Sequence, residues 1–272
     1  MSTATSSWNR QTASGARRPH GVRRRNTPTM TTQLPITQPV ALITGSSQGL
    51  GLQIAREYAQ RGLGLILTAR HSRPLEQAAR ELAELTRVIA IPGDVADSDH
   101  VARLVETGLS RFGHVDVLVN NASELGPSPL PTLEDLPSSE FERILRVNLV
   151  APSELIQLVL PGMRARGSGL IVNVTSDAGV QAYPTWGGYG SSKAGLEHLS
   201  RVLAAELEGS GVRVYVVDPG DMDTAMHRAA EPGVDLSHLP TPDKVAPAFL
   251  RLLDEAEPFA RFEAQQLLEV AA

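Results

Sequence analysis

Cysteine is absent from all 272 residues, which excludes disulfides, thiolate zinc sites and cysteine nucleophiles. The seven histidines are scattered, with no pair at ligand spacing, so no structural metal is expected. Apolar runs are strand-sized, far below the ~18 consecutive residues of a membrane-spanning helix, and no membrane association is expected. A net charge of −5 gives no cause to expect nucleic acid. Acidic residues are missing from positions 1 to 36, which hold six arginines and many Ser, Thr and Pro, leaving about −11 on the remainder. Such a segment cannot make a core. It reads as a disordered arm, an organellar presequence or a start placed too early; the last is preferred because Met30 begins a sensible amino terminus. No apolar secretory core is present, and the cytoplasm is the expected location.

Lysine is nearly absent too: two residues against twenty-three arginines. One of the two, Lys193, stands four positions after Tyr189 in Tyr189-Gly190-Ser191-Ser192-Lys193. A helix puts i and i+4 on one face, so the ammonium can lie beside the phenol, and a nearby cation favours phenolate. The pair is either this proton donor and acceptor or a solvated helix-surface pair. Tyr183, in the same loop, has Gly187 four positions on and no such partner.

Upstream, Gly169-Leu170-Ile171-Val172-Asn173-Val174-Thr175-Ser176 reads as a buried strand ending in hydroxyls. Ser176 then sits at a strand carboxyl end, where open parallel sheets bind ligands. Near the start, Val40-Ala41-Leu42-Ile43-Thr44 runs into Gly45-Ser46-Ser47-Gln48-Gly49-Leu50-Gly51 and an amphipathic stretch carrying Leu52, Ala55, Tyr58 and Ala59. This is a strand, a glycine loop and a helix. Gly45 permits the turn, Gly49 lets a pyrophosphate approach and Gly51 lets helix and strand pack closely, with the helix amino terminus attracting the anion.

Beyond position 37, strands are expected at 39–44, 63–68, 88–92, 116–120, 169–175 and 212–217, with helical periodicity between them. That alternation predicts an α/β, doubly wound parallel sheet, Rossmann-like, in one domain over 37–272. Hydrophobic residues at 42% and charged residues at 20% suit a globular enzyme with a large core. The Pro-rich stretch 221–242 reads as an inserted surface segment, taken by itself a plain loop.

Taken together, Thr44-Gly45-(three residues)-Gly49-Leu50-Gly51, Asn120-Asn121-Ala122, Asn148, Ser176, Tyr189-(three residues)-Lys193 and Pro219-Gly220 resemble the short-chain dehydrogenases/reductases, compact single-domain branch, over roughly 38–225. The resemblance implies a nicotinamide-dependent oxidoreductase acting on a small-molecule carbonyl or secondary alcohol. Asn148, Ser176, Tyr189 and Lys193 match the catalytic positions: Tyr189 as general acid/base, Ser176 steadying the substrate oxygen, Lys193 tuning the phenol and holding the ribose, Asn148 organising a water relay to the lysine. Without the family pattern, Asn148 is a polar interruption in a long helix that bonds a backbone carbonyl. Thr44, Gly45, Ser47, Gln48, Gly49, Leu50, Gly51, Asn121, Ala122, Tyr189, Lys193, Pro219, Gly220 and Thr224 match cofactor contacts, and Asp94 and Val95 match adenine contacts. A homo-oligomer, dimer or tetramer, is implied as well.

Cofactor choice is argued from the end of the second strand. No acid stands there for the ribose hydroxyls of NAD; Ala69 and Arg70 occupy the region with Arg73 nearby, and a guanidinium suits a 2′-phosphate, so NADP(H) is favoured over NAD(H). Gln48 stands where some members carry a second basic residue. Three departures mark this chain. Ser123 replaces the last glycine of the usual Asn-Asn-Ala-Gly. Phe259-Ala260-Arg261-Phe262-Glu263 and a helical tail replace a glycine-rich ending, which bears on a tetramer. Tyr183, Pro184 and Trp186 suggest either an aromatic-lined apolar pocket or ordinary loop packing. The resemblance implies that 221–242 is a substrate lid, and substrate choice falls to the loops around 123–132, 177–188 and 221–242. The alternative to an enzyme is a catalytically silent NADP-binding sensor or scaffold; epimerase or dehydratase chemistry is disfavoured by glycine spacing and length.

Overall fold

The computed structural model describes residues 38–269. The extension read at positions 1–36, and the first and last residues of the domain read at 37–272, lie outside them. The chain runs β1 (Val40–Thr44), α1 (Gly49–Gln60), β2 (Gly64–Thr68), α2 (Ser72–Leu82), β3 (Val88–Ala90), α3 (Ser98–Phe112) and β4 (Val117–Asn120). It continues through α4 (Ser138–Leu145), α5 (Ala151–Arg166), β5 (Gly169–Val174), α6 (Gly187–Glu206) and β6 (Val212–Asp218). The remainder is α7 (Ala225–Ala230), α8 (Pro242–Val245), α9 (Pro247–Asp254), β7 (Phe259–Glu263) and α10 (Ala264–Glu269). All seven strands pair in parallel in the order β3-β2-β1-β4-β5-β6-β7. The order turns around at β1, so a crevice opens at the carboxyl ends of β1 and β4.

Central strands are apolar at most positions because both faces are covered, with Asn120 of β4 and Asn173 of β5 buried and hydrogen-bonded to each other at 2.8 Å. Ala41 and Ile43 of β1, Leu170 and Val172 of β5 and Tyr215 and Val217 of β6 join Ile54, Tyr58, Leu75 and Phe249 in one layer. Val40 and Leu42, Ile171, and Val212 and Val214 point the other way, onto Leu104, Leu155, Ile156 and Val159. The strand period of two thus splits one run of hydrophobics between two cores.

Six strands fall where the apolar runs place them. The seventh corrects the sequence reading: Phe259–Glu263 is not the start of a tail but an edge strand pairing with β6 from Val214↔Phe259 to Asp218↔Glu263. Its central Arg261 argues against a strand until its partners are known, since it ion-pairs with Asp218 and Glu197 from elements far away in sequence. The stretch 221–242 is likewise not plain loop, because it carries the short helix α7, capped by the Thr224 hydroxyl accepting the His227 amide at 3.1 Å.

A second correction concerns helix length. One π-type turn, Arg146–Val150, joins α4 to α5, giving a continuous helix of 29 residues, Ser138–Arg166, long and apolar enough by composition to cross a membrane. Glu142, Arg143, Arg146, Asn148, Ser153, Glu154 and Gln157 interrupt its apolar residues in the sequence, which is why no single run reached that length. Val147, Leu155, Ile156, Val159 and Met163 bury its apolar face against the sheet.

The layer holding α1 and α9 depends on large side chains that nothing nearby can replace. Phe249 is fully buried, and its carbonyl accepts the Tyr58 hydroxyl at 3.2 Å. We expect Phe249→Ala to cost about 3–5 kcal/mol through lost burial and a residual cavity, measured by urea unfolding; a loss under ~1 kcal/mol would mean that this layer repacks freely.

Candidate active site

The floor of the crevice is a seam between β1 and β4. Thr44 Oγ1 accepts the backbone amides of Asn121 at 3.0 Å and Ala122 at 2.9 Å, and donates to the Val119 carbonyl at 3.3 Å. Asn121 Nδ2 returns the tie to the Thr44 carbonyl at 2.9 Å. A Cβ on Gly51 would stand 2.4 Å from both Asn121 Nδ2 and the Gly45 carbonyl, so only glycine lets α1 enter this close. Gly49 serves the loop differently: open space surrounds it, but its φ of +55° is left-handed. Gln48 precedes α1 without capping it by its side chain, leaving the first-turn amides of a 12-residue helix facing the crevice. Uncapped amides and a glycine at either end of the loop fit a dinucleotide pyrophosphate.

A cavity of about 960 Å³ runs from this loop past β4 to β5 and β6. It is lined by Gly45, Ser47, Gln48, Gly49 and Leu50 at one end and by Ser176, Tyr189 and Lys193 at the other. Arg70, Asp94, Val95, Asn121, Ala122, Pro219, Gly220 and Thr224 line it as well. Thr44, Gly51 and Asn148, also read from the sequence as site residues, stand outside its wall and hold the lining residues in place. Arg73, by contrast, is exposed in α2 and does not line the cavity.

On its far wall, Tyr189 and Lys193 occupy successive turns of α6, both buried. Lys193 Nζ donates to the Val174 carbonyl at 2.9 Å and lies 5.4 Å from the Tyr189 ring centroid. Ser176 Oγ donates to Asp177 Oδ1 at 2.9 Å, and the Tyr183 hydroxyl donates to Asp177 Oδ2 at 2.7 Å. Tyr183 and Trp186 both line the cavity, with the Trp186 ring edge-on to Tyr189 at 5.8 Å, so the aromatic loop contributes to the pocket wall. Between them Thr185 is held at a φ of +72°, costly for a β-branched residue.

Asn148 sits in the π-type turn, and all its described hydrogen bonds go to protein other than Lys193. Its Oδ1 accepts the Glu124 amide at 2.7 Å and the Ser123 hydroxyl at 3.3 Å. Its Nδ2 donates to the Glu124 carbonyl at 2.8 Å and Ser192 Oγ at 2.9 Å. Asn148 therefore fastens the loop after β4 to the helix carrying Tyr189, a backbone-bonding role that the bare residue suggested.

Residues 39–235 match the family model described as short chain dehydrogenase. The chain belongs to that family. It is 35% identical to the 2-(R)-hydroxypropyl-CoM dehydrogenase of Xanthobacter autotrophicus, over 69% of this chain and 76% of the relative. Ketoacyl reductase HetN of Nostoc is likewise 35% identical, over 80% of this chain and 76% of the relative. Among solved structures, the alcohol dehydrogenase of Thermococcus sibiricus complexed with 5-hydroxy-NADP superposes with a TM-score of 0.73 at 33% identity, covering 83% of this chain and 95% of that one. Short-chain dehydrogenases are oxidoreductases that bind NAD(P), and the crevice described above is shaped for such a ligand.

This short-chain dehydrogenase corrects one electrostatic expectation. Lys193 does not depress the Tyr189 phenol; burial pushes that phenol up to about 12, the neighbouring Ser123 hydroxyl opposing and Asp218 and Asp177 adding to the rise. Burial likewise pushes Lys193 down to about 8, with Asp218 opposing. Burial is the largest cause at both groups, each losing the water that would stabilise its charged form.

Several site residues were missed in the sequence. Asp218 ends β6, is itself raised by burial, and accepts the Gly220 amide at 2.9 Å and Arg261 Nη2 at 3.2 Å. Arg261 also donates to Glu197 at 3.2 Å, and Glu197 accepts the hydroxyl of Thr175, next to Ser176, at 3.0 Å. A carboxylate directly before Pro219-Gly220 was the available signal for Asp218. Glu197 and Arg261 had none, their meeting being a product of strand order.

The depressed Lys193 makes a linkage prediction. Below pH ~8 the native state carries the buried charge; between about 8 and 10.5 it has lost the proton while the unfolded chain keeps it. The unfolded state binds more protons in that window, so this contribution to stability grows as pH rises and is lost as pH falls below ~8. The unfolding free energy of wild type minus that of Lys193→Met should therefore increase from about pH 7.5 to 9.5. A difference that stays flat would show that Lys193 titrates normally.

Proposed function

We propose that this chain is an NADP-preferring oxidoreductase that interconverts a carbonyl compound and its secondary alcohol, with Tyr189 as general acid/base. The observation that carries this reading is one cavity holding the glycine loop and Arg70 at one end and Ser176, Tyr189 and Lys193 at the other. Bound there, the nicotinamide cofactor supplies or takes up a hydride at the carbonyl carbon. Gly45, Ser47 and Gly49 with the first amides of α1 would hold its pyrophosphate, Asn121, Ala122, Pro219 and Gly220 its middle, and Asp94 and Val95 its adenine.

The side chains supply the proton chemistry. A phenol raised to about 12 is protonated at neutral pH, the form that donates to an oxygen gaining negative charge. Ser176 donates a hydrogen bond to the same oxygen once its hydroxyl turns from Asp177. Lys193, anchored on the Val174 carbonyl, brings a positive charge beside the developing alkoxide and keeps donors free for a ribose. Asn148 positions this machinery through Ser192, whose hydroxyl bonds the Tyr189 carbonyl at 2.6 Å.

Substrate class is supported from two sides. Two relatives are named for a hydroxypropyl and a ketoacyl substrate, a secondary alcohol and a ketone. The lid side of the cavity offers Met222, Met226 and Leu236 beside Asp177 and His227, which suits a medium-sized compound with an apolar body and a polar group. Arg70 at the end of β2 supports NADP, and a solved relative holds an NADP derivative.

Tyr189→Phe should lower ketone-dependent NADPH oxidation by three orders of magnitude or more, on the order of a lost general acid and its hydrogen bond together. NADPH affinity, read by nicotinamide fluorescence, should change less than about two-fold, because the phenol acts on the substrate oxygen. Retained turnover would remove Tyr189 from its role.

A further inference from the structure

The crevice is roofed on its adenine side by a ladder of alternating charges. Arg70 lies just past β2 and Glu124 just past β4, with β1 between those strands in the sheet. The two side chains reach across the end of β1 and pair, Arg70 Nη1 to Glu124 Oε2, at 3.1 Å. Glu124 also faces Arg143 Nε at 3.8 Å, and Arg143 Nη2 holds Asp94 Oδ2 at 2.7 Å.

The members of this ladder are unequally held. Both backbone polar groups of Glu124 are bound by the Asn148 side chain, so its carboxylate is delivered from a fixed anchor. If Arg70 leaves, Glu124 still faces Arg143 and is not stranded. Arg70 is the exchangeable partner: its side chain is 54% exposed against 21% for Glu124, and its one described ion pair is this one. A guanidinium offers the same donor fork to a carboxylate and to a phosphate monoester.

We infer that Glu124 is a specificity-determining residue: its carboxylate occupies Arg70 and competes with the 2′-phosphate of a dinucleotide for that guanidinium. The inference rests on the reading of Arg70 as the phosphate anchor. A dinucleotide without the 2′-phosphate leaves the Arg70–Glu124 pair in place, whereas a phosphorylated one must break it and bring its charge beside the carboxylate. Glu124 thus tempers the preference that Arg70 creates.

Full-length wild type, Glu124→Gln, Arg70→Ala and the double variant would be titrated with NADPH and with NADH, following nicotinamide fluorescence. A partly exposed ion pair of this kind corresponds to an effect of about two- to five-fold. Glu124→Gln, which keeps the size and removes the charge, should tighten NADPH by that factor and leave NADH unchanged. The same substitution in the Arg70→Ala background should give no tightening, since the pair acts through Arg70. Weakened NADPH binding in Arg70→Ala with no gain in Glu124→Gln, or an equal gain with and without Arg70, overturns the inference while the anchor reading stands. Unaltered NADPH affinity in Arg70→Ala overturns both.

Discussion

At the carboxyl end of β1, the Thr44 hydroxyl accepts the amides of Asn121 and Ala122 and donates to the Val119 carbonyl, joining the glycine loop to the segment after β4. The glycine loop and the segment after β4 are both referred to this seam. It sets the approach of α1, whose Gly51 has no room for a Cβ against Asn121 and the Gly45 carbonyl. It also fixes where Ser123 and Glu124 begin, and so where Asn148 can grasp them. A parallel sheet buried on both faces leaves only its strand ends free to build a crevice, and hydroxyl-to-amide ties keep those ends from fraying.

Charge is handled differently at the two ends of the cavity. Beside β2 and β4, Arg70, Glu124, Arg143 and Asp94 are partly exposed, where ion pairs are weak and can exchange partners. Towards β5 and β6, Lys193, Glu197 and Asp218 are almost wholly buried. Arg261 on the edge strand bridges Glu197 and Asp218, and removing it would leave both buried carboxylates without that guanidinium. The last strand of the sheet thereby supports the segment carrying Thr175 and Ser176, a long way back in the sequence.

Burial decides the protonation states in a way that spacing alone could not foresee. An i,i+4 tyrosine and lysine suggest a phenol made acidic by its neighbour. In the fold the ammonium is turned to the Val174 carbonyl, and desolvation raises the phenol and lowers the ammonium. Each change favours the uncharged form, as expected of groups removed from water.

The pattern of residues by itself determined the doubly wound class, six of the seven strands, the glycine loop and the Tyr189–Lys193 turn. These are local signals: apolar runs bounded by glycines, and a helical spacing of four. Asn148 was picked out and, through the resemblance, read as organising a water relay, but its bonds to Ser123, Glu124 and Ser192 were not legible, because a lone polar residue in a helix does not say what it bonds. The tertiary structure alone decided that Phe259–Glu263 is a strand, that Arg261 meets Glu197 and Asp218, and that Arg70 pairs with Glu124. In each case the partners are separated by 43 or more positions in the chain and become neighbours only through the order in which parallel strands are laid side by side. No sequence period encodes that order, since it follows from which crossovers pack two complete hydrophobic layers.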